Sequence, residues 1–296
     1  MNILLTGATG YLGSHLAKAF LADGHQVSIL KRRNSDLRRL IGLQESLRSY
    51  DLEGLDLAEP FQAGGSIDAV VHTATCYGRA REPVGEIFQA NTAFPLRLLE
   101  TAISFNTDTF FNTDTFFNTD TVLYTYLNAY ALSKKHFADW GRQPDFADRI
   151  RFVNVRLEHL YGPDDAPSKF TSWLVSNCLA NVSDIRLTPG EQRRDFIHID
   201  DVVSAYVCLL DRGTELGTGF QEVGLGSGAS VPVRTFVEIV HRLTGSTSRL
   251  SFGALAYREH EPMESCADMS RLASLGWHPT IGLEDGIASL VQGTAY

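Results

Sequence analysis

The opening stretch, Asn2 to Arg33, constrains the fold of this chain more than any other. It reads NILLTGATGYLGSHLAKAFLADGHQVSILKRR. Ile3, Leu4 and Leu5 form the short apolar run of a buried strand, after which Thr6-Gly7-Ala8-Thr9-Gly10-Tyr11-Leu12-Gly13 turns the chain sharply. Leu12, Leu16, Ala19 and Phe20 then recur at helical spacing as far as Ala22, and Gly24 stands where a helix stops. Gln26 to Leu30 is a second β-type run. A strand-turn-helix-strand unit of this kind predicts a parallel sheet covered by helices.

Each glycine has a separate task in such a unit. Gly7 allows the tight turn, Gly10 admits a pyrophosphate close to the backbone, and Gly13 lets the helix pack on the strand. The unpaired N–H groups and positive dipole end of the helix face the phosphates. Gly7, Thr9, Gly10, Tyr11, Leu12 and Gly13 are therefore the candidate dinucleotide cradle. At the end of the second strand, where Asp or Glu would accept from a ribose 2′-hydroxyl, stand Lys31, Arg32 and Arg33. Three cations suit a 2′-phosphate, so the expected cofactor is NADPH/NADP rather than NAD. The competing reading is a solvated basic loop that runs on through Arg38 and Arg39.

Strand and helix patterns alternate through the first half. Asp68 to His72 reads as a buried strand, Val84 to Ile103 as a helix that Pro95 should bend or restart, Tyr130 to Trp140 as a helix, and Arg151 to Arg156 as a strand. The expected fold class is α/β, a Rossmann-type doubly wound parallel sheet with a smaller C-terminal substrate-binding lobe. The dinucleotide domain is expected over 1–156 plus about 196–224, and the lobe over about 157–195 and 225–296, closing over the carboxyl edge of the sheet. Leu160 to Pro163 reads as a turn, and Ser230 with Pro232 as a helix start.

One segment is ambiguous. Phe-Asn-Thr-Asp-Thr occurs three times, at Phe105, Phe111 and Phe117, with a period of six. An even period keeps equivalent side chains on one strand face, yet three copies exceed an ordinary strand. Only one copy can end the buried strand, and periodicity does not say which.

Composition narrows the ligand. A net charge of −9 argues against a nucleic-acid surface, and local basic spots in an acidic chain point to a small anionic ligand. Cys76, Cys178, Cys208 and Cys266 lack paired spacing, which suggests neither a zinc site nor a disulfide framework. His72, His159, His198 and Cys76 read as packing or satisfied hydrogen bonds, and no metal is expected. No segment approaches the length of a membrane span and the first residues lack a basic n-region, so a cytoplasmic location is expected.

Tyr130 and Lys134 lie four apart, on one face of a helix. A Lys ammonium beside a phenol favours phenolate and would lower the tyrosine pKa towards the working range of an acid or base. This pair, the glycine-rich unit and a Thr-bearing strand end shortly before the pair together resemble the extended short-chain dehydrogenase/reductase family, which groups nucleotide-sugar epimerases, dehydratases and reductases. The resemblance covers almost the whole chain and rests also on Arg156 with Tyr161-Gly162-Pro163 and on Arg194 to Val203.

The resemblance implies roles residue by residue. Tyr130 would donate a proton to a ketone oxygen, Lys134 would hold the nicotinamide ribose, and Thr113 would hydrogen-bond the same oxygen, with residues 109–112 as the strand and Thr119 as the alternative. Asp51 resembles an adenine-contacting acid, and Ala74, Thr75 and Asn91 match positions lining the cofactor cleft. Tyr77, Lys169, Arg194 and Arg258 are candidate substrate contacts, the two arginines on a diphosphate. The competing reading of Arg194 is a salt bridge to Asp195, Asp200 or Asp201. A homodimer through the helices near Leu96 and Phe137 is expected from the family.

The reaction follows from what the motifs contain. Dehydratases of the family carry Thr-Asp-Glu where this chain has Thr-Asp-Thr, so the base for proton abstraction at C5 is missing. Epimerases usually keep NAD and the ribose acid, which Lys31 replaces. Residues 152–163 and 190–196 look most like family members that reduce a CDP-4-keto-3,6-dideoxy sugar. The expected function is an NADPH-dependent 4-keto reductase of a nucleotide sugar. The alternatives are an NAD-dependent 4-epimerase and a non-catalytic cofactor-binding protein.

Overall fold

The strands of this fold are β1 (Asn2–Thr6), β2 (Gln26–Lys31), β3 (Leu47–Asp51), β4 (Ala69–His72), β5 (Thr115–Thr121), β6 (Arg151–Leu157), β7 (His159–Tyr161), β8 (Asp184–Leu187), β9 (Arg193–His198), β10 (Phe220–Leu225), β11 (Ser230–Pro232) and β12 (Arg249–Phe252). The helices are α1 (Tyr11–Ala22), α2 (Glu59–Gln62), α3 (Val84–Phe88), α4 (Phe94–Asn106), α5 (Ala129–Arg142), α6 (Pro144–Ala147), α7 (Phe170–Leu179), α8 (Ile199–Arg212), α9 (Val233–Leu243), α10 (Ser270–Ser274) and α11 (Leu283–Thr294). They come from a computed structural model that describes residues 1–63, 66–106, 114–259 and 261–294. Two compact units result, Met1–Arg156 with Tyr206–Val223, and Leu157–Ala205 with Gly224–Tyr296. Residues 196–205 thus go with the second unit.

The first unit is built on a seven-stranded parallel sheet of order β10-β6-β5-β4-β1-β2-β3. All four residues of β4 are buried, as are four of the five in β1, which is why these central strands read as continuous apolar runs rather than alternating ones. The strand order reverses between β1 and β4, and in such sheets that switch point opens the ligand crevice at the carboxyl ends. Beneath it, Phe116 of β5 stacks on Phe152 of β6 with centroids 5.6 Å apart, and Phe137 of α5 meets both edge-on. Those rings seat α5 on the sheet. Phe137 is fully buried there and cannot face a second subunit, whereas Trp140, one turn later, is 45% exposed.

The repeat resolves differently from the expectation. The strand is Thr115–Thr121, which contains the third copy, with Ala69 opposite Thr115 and His72 opposite Asn118. Phe116 and Phe117 point to opposite faces and both are buried. Phe105 of the first copy instead lies at the end of α4, stacked on Phe61 with centroids 5.2 Å apart. Thr113 and residues 109–112 lie outside the described residues.

The helix restarts at Pro95 as expected, α3 ending at Phe88 and α4 beginning at Phe94. The backbone N–H of Phe94 reaches back to the Gln89 carbonyl, an i to i−5 bond that makes Gln89–Ala93 a π turn just before a residue with no N–H to give. This turn carries Asn91 into the interior.

The second unit has a three-stranded sheet, β11-β9-β7, and a two-stranded one, β12-β8, with α7, α9 and α11 enclosing Tyr161, Phe196, Phe236 and Ile287. His159–Tyr161 is a strand where a turn was expected, and Ser230–Pro232 is a strand whose last residue caps α9. A Cβ at Gly286 would fall 2.1 Å from the Tyr161 hydroxyl, so α11 can lie against β7 only through a glycine. Among the described residues, no helix is long and apolar enough to cross a membrane.

Candidate active site

The turns after β1 and β4 interlock at the switch point. Gly7 has φ +75°, and a Cβ there would meet the Ala74 nitrogen and the Thr73 hydroxyl, each at 2.6 Å. The Thr73 hydroxyl donates to the Thr6 carbonyl at 2.8 Å, while the Thr6 hydroxyl accepts from the Ala74 N–H at 3.3 Å and bonds to His72 Nδ1 at 2.8 Å. Burial holds His72 well below its usual pKa, hence neutral, and it serves packing. Gly13 carries α1 past this turn, where a Cβ would lie 2.1 Å from the Gly7 carbonyl oxygen.

Gly10 caps α1 with no side-chain hydrogen bond, and the first turn contains no acidic residue. Its backbone N–H groups are thus offered to an anion from outside, with Thr9 and Tyr11 half-buried and Leu12 buried beside them. That donor set fits a dinucleotide diphosphate. Arg39 lies over the Tyr11 ring at 5.4 Å.

The basic end of β2 is less free than its sequence suggests. Lys31 forms an ion pair with Asp51, its neighbour in register on β3. Arg32 and Arg33 are exposed, and the Arg33 backbone N–H donates to Glu53 at 2.9 Å. Two exposed guanidinium groups thus follow β2, and the one ammonium is already paired with an acid.

Asn91 organises the opposite wall. Its Oδ1 accepts from the Cys76 N–H at 2.7 Å and the Thr75 hydroxyl at 3.2 Å. Its Nδ2 donates to the Cys76 carbonyl at 2.8 Å and the Ser133 hydroxyl at 3.0 Å. Both lone pairs and both hydrogens are used, so Asn91 clamps the loop after β4 to α5 and has no capacity left for a cofactor.

Tyr130 and Lys134 occupy the first two turns of α5, whose N-terminus Asn128 caps by accepting from the Ala131 N–H at 2.9 Å. The Tyr77 ring packs on Tyr130 with centroids 4.9 Å apart, and Arg79 covers Tyr77 at 4.7 Å. The strand-end hydroxyl that acts on the Tyr130 phenol, favouring its ionised form, is that of Thr121. Thr119 instead bonds to Tyr206 at 2.5 Å. Thr121 was missed because the repeat hid the register; Arg79 has no motif to mark it.

The electrostatics also differ from expectation. Burial, then Tyr77, push the Tyr130 phenol above its ordinary value, and the Thr121 hydrogen bond only partly offsets this. Lys134 is not among the groups that act on it. Burial lowers Lys134 itself to about 8, with Asp120 opposing and Lys135 assisting. Among the described residues the Lys134 ammonium has no hydrogen-bond partner, a donor set suited to ribose hydroxyls. Asp120, the acid of the strand-end triplet, is buried against Lys135 at 2.9 Å.

The remaining candidates belong to the second unit. Arg194 is buried and paired with Glu261, and it also donates to the Arg193 carbonyl at 2.8 Å; its partner is none of the neighbouring aspartates. Asp195 accepts instead from the N–H groups of Ser227, Gly228 and Ala267, and Asp201 from those of Thr280 and Ile281. The motif around them thus holds this unit's loops together. Arg258 is exposed, and Lys169 is half-buried at the start of α7.

Residues 3–220 match the model of the NAD dependent epimerase/dehydratase family. CDP-abequose synthase of Salmonella muenchen is 36% identical over 98% of this chain and 97% of its own, and that of Salmonella typhimurium is 32% identical over the same shares. The crystal structure of UDP-glucuronic acid 4-epimerase from Bacillus cereus, in complex with UDP-glucuronic acid and NAD, superposes with a TM-score of 0.82 over 100% of this chain and 99% of that one, at 22% identity. The glycine-rich crossing of β1 and α1, the Tyr130–Lys134 pair and these matches place the chain in the NAD dependent epimerase/dehydratase family.

Proposed function

We propose that this enzyme is an NADPH-dependent 4-keto reductase that converts CDP-4-keto-3,6-dideoxy-D-glucose to CDP-abequose or CDP-paratose. The strand-end triplet carries the reading. Thr121 offers a hydroxyl to the Tyr130 phenol, while the triplet's carboxylate, Asp120, is turned into the sheet against Lys135 and Asn154. A site with a proton donor and, among the described residues of the triplet, no free carboxylate base suits one-way reduction and not elimination of water. The two Salmonella relatives, both CDP-abequose synthases, point to the CDP-sugar.

A bound reduced nicotinamide would supply the hydride. Tyr130, kept protonated by its burial, gives its proton to the C4 ketone oxygen as negative charge develops there, and the Thr121 hydroxyl beside the phenol supports the phenolate that is left. Lys134 would hold the nicotinamide ribose, Arg32 and Arg33 would meet the 2′-phosphate, and the α1 N-terminus would take the diphosphate. Lys169, Arg194 and Arg258 remain the proposed nucleotide-sugar contacts, Arg194 only by giving up Glu261. Four free cysteines suit a reducing cytoplasm, and the relatives' family favours a homodimer. A 4-epimerase retaining NAD is the second reading, favoured by the Lys31–Asp51 pair, which leaves less positive charge for a 2′-phosphate.

The test is absorbance at the nicotinamide band on mixing the protein, NADPH or NADH, and the CDP-4-keto sugar, with NMR of the product to assign C4. Loss of NADPH absorbance in the wild type is expected to slow by about 10²–10⁴-fold in Tyr130→Phe, which keeps its dinucleotide affinity. Tightly retained NAD with no net oxidation would instead identify the epimerase.

A further inference from the structure

The acid of the strand-end triplet has partners on three elements and is only 4% exposed. Asp120 Oδ1 accepts from the Thr121 N–H at 2.7 Å. Its Oδ2 accepts from Lys135 Nζ at 2.9 Å and from Asn154 Nδ2 of β6 at 3.1 Å. The Lys135 ammonium donates in addition to the Thr121 carbonyl, and Asn118 Nδ2 braces Asn154 Oδ1 at 2.8 Å. The last residue of β5 is thereby held at its N–H and its carbonyl, and tied to α5 one residue beyond Lys134 and five beyond Tyr130. A buried ion pair adds little stability over well-packed apolar groups, so its position is the more informative property.

We infer that Asp120, Lys135 and Asn154 are positioning residues of the active site, which fix the Thr121 hydroxyl relative to Tyr130 and Lys134 on the first turns of α5. The inference rests on the roles proposed above for those three groups. The same contacts set opposite charges beside Lys134. It faces Asp120 from β5, Lys135 on its own helix, and neutral His72 from β4, while Tyr77, Asp120 and Arg79 act on Tyr130. Asp120 favours the Lys134 ammonium and Lys135 opposes it. The carboxylate therefore works through Lys135 and the Thr121 backbone, and transfers no proton to substrate.

Two readouts test this in the full chain. NADPH fluorescence titrations across the neutral-to-alkaline range are expected to show wild-type affinity falling as pH rises through about 8, where Lys134 loses its proton. Asp120→Asn should move that fall to lower pH and Lys135→Met to higher pH, because they remove opposite charges. In steady state both should lower kcat by about 10–100-fold with KM nearly unchanged, and Lys135→Arg should restore most of the rate, since a guanidinium can donate to both oxygens. The double variant should be no slower than the worse single one. Shifts of the same sign, no shift, or additive losses in kcat would overturn the inference. So would loss of turnover in Asp120→Asn with none in Lys135→Met, the pattern of a proton donor. If the wild type turns over no keto sugar, the functional reading fails while the binding profiles still decide this one.

Discussion

Placing one methyl group at each of two glycines three residues apart separates folding from dinucleotide binding. In Gly13→Ala the Cβ falls 2.1 Å from the Gly7 oxygen, 2.6 Å from the Gly7 carbonyl carbon and 2.9 Å from the Ala8 Cα. All three are backbone atoms of the turn that joins β1 to α1, and none can rotate away. The helix must retreat by roughly 1 Å to restore ordinary contact. It carries Leu16, Ala17 and Phe20 into the core, so the retreat disturbs packing around all of them. Overpacking of this kind costs about 1–3 kcal/mol, and for a chain of this size each kcal/mol lowers Tm by roughly 2–4 °C. Gly13→Ala should therefore melt roughly 2–12 °C below the wild type.

At Gly10 the same methyl meets only the Gly7 oxygen, at 3.2 Å, and φ −82° with ψ 177° suits any residue. Loss of glycine freedom in the unfolded chain contributes about 0.4–1 kcal/mol, which offsets a modest capping loss, so Tm should move by no more than about 2 °C. The methyl nevertheless stands where the diphosphate approaches the helix. NADPH affinity should fall at least about 30-fold, equivalent to about 2 kcal/mol. Calorimetric melts of the ligand-free protein and fluorescence titrations measure the two effects separately. Wild-type binding by Gly10→Ala, or wild-type melting by Gly13→Ala, would refute the division of labour.

Two further outcomes follow from the site and the repeat. Burial lowers Lys134 from 10.5 to about 8, so the folded state binds this proton more weakly than the unfolded state does. Its contribution to stability is unfavourable below pH 8 and recovers between pH 8 and 10.5; Lys134→Met should therefore raise the Tm of the ligand-free protein at neutral pH by several degrees while abolishing turnover, and an unchanged or lower Tm would contradict the buried-ammonium assignment. Deleting residues 107–112 removes one repeat copy and leaves Thr115–Thr121 intact, so Tm should stay within about 3 °C and kcat within about 3-fold of the wild type, whereas loss of folding would show that the extra copy is required.

The α/β class, the glycine crossing and the Tyr130–Lys134 spacing are legible along the chain, because each depends on neighbours within a few residues. A turn that needs φ +75° at Gly7, a helix that passes its carbonyl at Gly13, and two side chains four apart are local facts. Tertiary structure alone decided the rest. The segment 109–115 and the strand 115–121 are both Thr-Phe-Phe-Asn-Thr-Asp-Thr, so only pairing with Ala69–His72 could choose between them and bring Thr121 to the tyrosine. Short strands such as His159–Tyr161 and Ser230–Pro232 exist because β9 lies between them, and three residues cannot carry a period of their own. The charges followed the same rule. Lys31 reads as a free cation until β3 lays Asp51 beside it, Asn91 as a cofactor ligand until a π turn aims it at Cys76 and Ser133, and Tyr130 as acidified until burial outweighs its neighbours. Burial and long-range pairing set the strength of each interaction, and neither is written in spacing along the chain.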